Sequence, residues 1–136
     1  MYPREFAGSQ PDFPAVIMAG SGETITYGAL ERRANQGAHV LRELRLKAGD
    51  VIAVLLENSP RIFELYWAAQ RAGLYYTPIS TRLTATEAAY IVSDSGAILL
   101  VTSEGAGGAA PELISGRATL IPNVREVYHV GGALDG

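Results

Sequence analysis

Few side chains in this sequence combine a reactive type with a useful spacing. The run Gly105, Ala106, Gly107, Gly108, Ala109, Ala110 reads G-x-G-x-x-A after an apolar stretch. Glu126 follows about 20 residues on, as in a dinucleotide site, where glycines admit a pyrophosphate and an acid binds the ribose. Gly105 and Gly107 are therefore candidate cofactor-binding residues. The same pattern also arises from composition in a stretch made almost wholly of Gly and Ala, and Pro111 and Gly116 bracket only a short helix after it. A flexible loop is the competing reading. Gly20-Ser21-Gly22 lacks a third glycine and leads into a β-prone run, and no G-x-x-x-x-G-K-[ST] occurs.

Glu57 stands at the end of an apolar strand-like run, the end at which open α/β sheets bind ligands. Asn58 and Ser59 beside it also suit a helix start. Ser80, Thr81 and Arg82 follow the next strand-like run and share that edge. Arg82 could pair with a phosphate or carboxylate, or make a surface salt bridge. His39 and His129 have no serine and acid at triad spacing. Trp67, Tyr75 and Tyr76 read as core and sheet packing, with an acyl pocket as the alternative. No catalytic constellation and no metal site is expected.

Composition narrows the functional classes. The 136 residues carry a net charge of −3, with 48% hydrophobic and 18% charged residues, which is globular and leaves no basic stripe for nucleic acid. Cysteine is absent, which removes disulfides, thiolate zinc sites and a cysteine nucleophile. No apolar run reaches the length of about 18 residues that spans a bilayer, and Arg4, Glu5 and Asp12 occupy the region where a signal peptide would be apolar. A soluble cytoplasmic protein of about one domain is expected.

The elements that must position these residues follow from the pattern. Residues 1–14, with Pro3, Pro11 and Pro14, read as an irregular N-terminal arm; residues 15–130 form the α/β body; residues 131–136 are a glycine-rich end. Short β-prone runs on either side of residues 20–22 predict a hairpin. Thr26 caps a helix whose stripe is Tyr27, Leu30, Ala34, Gly37, Leu41 and Leu44. Val51 to Leu56 is a strand covered on both faces. Ser59 and Pro60 start a helix buried around most of its circumference, and Gly73 stops it. Leu74 to Thr77 is the next strand, and Thr84 with Glu87 forms a capping box for a helix ending before Gly96. Ala97 to Thr102 and Val124 to Val130 are further strands, separated by a mobile loop over residues 105–110. The fold class is α/β, a mostly parallel sheet with helices on both faces.

The order of segments resembles the opening of the adenylate-forming acyl-CoA synthetases. The matching strings are Ile25-Thr26-Tyr27-Gly28-Ala29-Leu30, Ala34-Asn35, and Leu46-Lys47-Ala48-Gly49-Asp50-Val51-Ile52-Ala53-Val54. They continue as Leu55-Leu56-Glu57-Asn58-Ser59, Ala68-Ala69-Gln70-Arg71-Ala72-Gly73-Leu74-Tyr75-Tyr76-Thr77-Pro78-Ile79, Arg82-Leu83-Thr84 and Tyr90-Ile91-Val92-Ser93-Asp94-Ser95-Gly96-Ala97. The resemblance implies activation of a carboxylic acid by ATP, through an acyl-adenylate, to a coenzyme A thioester, with long- or medium-chain fatty acids favoured and a carrier-protein acceptor open. It also implies an N-terminal fragment, an incomplete subdomain of that fold. The family's Ser/Thr/Gly-rich phosphate loop, ATP and magnesium segment and catalytic lysine are absent from the sequence, so none of its catalytic residues is carried over. No cofactor is expected in the fragment; ATP, magnesium and coenzyme A belong to the parent. The implied partners are the remainder of the parent enzyme and a carboxylic acid, with self-association through a bare apolar face. The alternative is a stand-alone nucleotide-binding module built on the Gly105 to Ala110 loop, and a catalytically silent interaction domain is a third reading.

Overall fold

A computed structural model describes residues 2–131. The elements run α1 (Pro3–Ser9), β1 (Pro14–Ile17), β2 (Thr24–Thr26), α2 (Tyr27–Glu43), β3 (Val51–Leu55), α3 (Arg61–Ala72), β4 (Tyr75–Pro78), α4 (Ala85–Asp94) and β5 (Leu99–Thr102). A single 3-10 turn (Glu104–Ala106), α5 (Ala109–Ser115), α6 (Arg117–Leu120) and β6 (Glu126–His129) complete them. They divide into two compact units where one domain was expected: a helical unit, up to Ala48 together with Asn58–Gly73, and a sheet unit, Gly49–Glu57 together with Leu74 onward.

In the helical unit, β1 and β2 form the expected antiparallel hairpin, with Val16 opposite Ile25 and Ile17 opposite Thr24. The turn closes through the Met18 N–H on the Glu23 carbonyl at 2.8 Å, and Gly22 supplies the positive φ of +75°. Thr26 caps α2, its hydroxyl accepting the Ala29 N–H at 3.2 Å. Helices α2 and α3 meet along small residues: Ala34, Ala38, Ala68 and Ala69 are all buried. A Cβ placed on Gly37 would lie 2.9 Å from the Ala68 Cβ, so the two helices approach closer there than any larger residue permits. Ion pairs flank this seam. Buried Glu64 accepts from Arg33 at 2.7 Å and from Arg61 at 3.5 Å, and Arg71 pairs with Glu31 while also donating to Asn35 Oδ1 at 2.7 Å.

Three expectations fail in this unit. The N-terminal residues are not an irregular arm, because α1 begins with Pro3 in its first turn, where proline's fixed φ suits a helix. Tertiary contact holds it, with Phe6 stacked on Tyr27 at 5.0 Å and Tyr2 edge-on to Trp67 at 5.8 Å. Helix α3 starts at Arg61, and Pro60 takes the capping position. The Ser59 backbone carbonyl, rather than its hydroxyl, receives the Ile62 N–H at 3.2 Å. Helix α3 is also less buried than the expected burial around most of its circumference, since Phe63 and Tyr66 are 45% and 40% exposed.

The sheet unit is a four-stranded parallel sheet in the order β4-β3-β5-β6. Ile52 sits in register with Tyr76 on one side and Leu99 on the other. Ala53, Leu55 and Leu100 form one face and pack with Ala85, Ala88 and Val92 of α4 and Leu113 of α5. Ile52, Val54, Leu99 and Val101, whose side chains alternate to the other face, are buried as well. This explains the unbroken aliphatic runs in the sequence. Helix α4 opens with the expected capping box: Glu87 N–H donates to the Thr84 hydroxyl at 3.3 Å and Thr84 N–H to the Glu87 carboxylate at 2.9 Å. Those hydrogen bonds to the charged form hold the Glu87 carboxyl below its usual value.

The glycine- and alanine-rich segment is not a mobile loop. It winds into the 3-10 turn and the start of α5, and Ala106, Ala109 and Ala110 are buried in the same core as Leu100. Small residues belong there because the segment lies tightly on the sheet's end. Residues 132–136 of the glycine-rich end lie outside the described residues.

Candidate functional site

The carboxyl-terminal edge of the parallel sheet gathers most of the candidates read from the sequence. Glu57, two residues past β3, is half-buried, and its carboxylate accepts a hydrogen bond from the hydroxyl of Ser103, the residue after β5. Since β3 and β5 are neighbours, this bond ties together the exits of two adjacent strands. Gly105 follows: a Cβ there would come within 3.0 Å of the Glu57 carboxylate carbon and Oε1. Gly108, at φ +50°, leaves no room either, as its Cβ would lie 2.9 Å from the Thr81 carbonyl oxygen. Gly107 is different. Nothing lies within 4 Å of its Cβ position, and its φ of +53° is what calls for glycine.

Arg82 is exposed on the loop after β4, and its guanidinium makes no ion pair with a described residue; its backbone N–H donates to the Ser80 hydroxyl at 3.2 Å. Glu126 and His129 are exposed on the edge strand β6, and His39 is exposed on α2. Tyr75 is 67% exposed on edge strand β4, so it is not the packing residue expected, whereas its neighbour Tyr76 is half-buried and burial pushes its phenol up to about 12. Trp67 belongs to the helical unit, packed against Tyr2 and Tyr66.

This edge is built to hold a loop down. A phosphate approaching the Gly105 backbone would meet the Glu57 carboxylate, a like charge, in the space a cradle needs. The helix that follows has only seven residues, and its N-cap residue Gly108 is pressed against Thr81. The segment from Gly105 to Ala110 is therefore not shaped as a phosphate cradle. Among the described residues no group of three or more His, Asp or Glu side chains could hold a metal ion. Ser103 and Glu57 resemble a nucleophile and base only in type, since among the described residues no histidine hydrogen-bonds to either. Sequence reasoning named Glu57, Arg82 and the glycines but missed Ser103 as the carboxylate's partner. Its only signal was its place directly after the third apolar run.

Comparison with known proteins identifies the chain's kin. The profile of the AMP-binding enzymes matches residues 3–133, and the chain belongs to that family. A fatty acid–[acyl-carrier-protein] ligase, ScoC of Streptomyces coeruleorubidus, is 37% identical over 94 residues, covering 69% of this chain and 18% of that protein. The long-chain-fatty-acid–CoA ligase FadD13 of Mycobacterium tuberculosis is 34% identical over 98 residues, covering 72% and 20%. In structure, the N-terminal domain of FACL13 from Mycobacterium tuberculosis superposes with a TM-score of 0.82 at 29% identity, covering 94% of this chain and 32% of that one. The chain thus carries the α/β fold of the N-terminal domain of acyl-CoA synthetases, and spans about a fifth of the length of these two curated relatives. No helix among the described residues is long and apolar enough to cross a membrane.

Proposed function

We propose that this chain is the N-terminal scaffold of a fatty acid ligase that activates a carboxylate with ATP, through an acyl-adenylate, for transfer to coenzyme A or a carrier protein. The observation that carries the reading is the family match over residues 3–133, with relatives that act on fatty acids among those most similar. Long- or medium-chain acids are the favoured substrates. The chain's own contribution is structural: Glu57 and Ser103 pin the segment after β5, and the sheet's aliphatic core fixes where the strands end. ATP, magnesium and coenzyme A are held by residues outside this chain, which alone activates nothing. Phe13, Ile17 and Phe63, exposed on the helical unit, are surface that the rest of the enzyme covers.

The test is the full reading frame, assayed for hydroxylamine-trapped acyl-adenylate with saturated acids of graded chain length beside an aryl acid. The expected outcome is ATP-dependent product with the medium and long chains and little with the aryl acid. Preference for the aryl acid would move the substrate class, and no product with any acid would overturn the reading.

A further inference from the structure

We draw no further inference here: the strongest candidate, the groove between the β1–β2 hairpin and the start of α3, lined by Val16, Ile17, Ser59, Ile62 and Phe63, is half-open apolar surface, and nothing in the structure shows what covers it.

Discussion

The two units bury their interiors with different residues. In the sheet unit the largest fully buried side chains are aliphatics, Ile52, Leu55, Leu99, Leu100, Leu113 and Ile121 among them, beside alanines such as Ala53, Ala88 and Ala97. In the helical unit the seam is Ala34, Gly37, Ala38, Ala68 and Ala69, while Phe13, Ile17, Phe63 and Tyr66 stand in solvent. A parallel sheet must fill the space above and below each strand, which calls for bulk. A pair of closely approaching helices needs small residues at the point of contact, and its larger buried residues are few, Leu30, Leu41 and Leu65. The sheet unit thus supplies the base of the candidate edge, and the helical unit carries exposed apolar surface.

Core truncation should separate the units most. Leu100→Ala, in the middle of the sheet and fully buried, should cost about 2–5 kcal/mol in urea unfolding. Ile17→Ala, at a site 65% exposed, should change stability by no more than about 0.5 kcal/mol. Comparable losses from the two would break the contrast. The seam should fail in the other direction, by overfilling: Gly37→Val should cost about 1–3 kcal/mol, and adding Ala68→Gly should recover part of it. A double-mutant cycle on Arg33 and Glu64 should give a coupling of about 1 kcal/mol, reduced by solvent because Arg33 is 44% exposed.

The smallest effect is a pH dependence in the sheet unit. The Glu87 carboxyl is held below its usual 4.5 by hydrogen bonds from the Thr84 backbone and hydroxyl. A depressed folded value gives stability that is present above the unfolded value and is lost as the pH falls through the folded one. The stability difference between the native chain and Glu87→Gln should therefore be greatest near neutral pH and fade on acidification below about 4.5. A difference that grows on acidification would contradict the capping-box assignment.

Features specified by a few neighbouring residues were legible in the sequence. The hairpin, the Thr26 cap, the Thr84 and Glu87 box and the stop at Gly73, whose φ is +72°, each depend on local backbone demands. Strands β3 and β5 were legible because burial on both faces leaves an unmistakable aliphatic run. Helix α1 was not, since its prolines carry no periodicity, and α5 was legible only as a short helix between Pro111 and Gly116, its start in the Gly/Ala tract being hidden. They are fixed by contacts distant in sequence, Phe6 on Tyr27 in one case and the close approach of residues 105–108 to Glu57 and Thr81 in the other. For the site, Glu57 could be placed at the sheet's edge by rule, but its partner Ser103 lies 46 residues away, a separation only the fold reveals.

The central proposal is that this chain is part of a carboxylate-activating enzyme and contributes scaffold rather than chemistry. ATP–pyrophosphate exchange tests it most directly, measured on the 136-residue chain alone and on the full reading frame with the same fatty acids. The account predicts acid-dependent exchange by the full protein and none above buffer by the chain alone. Exchange sustained by the chain alone, and abolished by Glu57→Gln or Arg82→Ala, would contradict it.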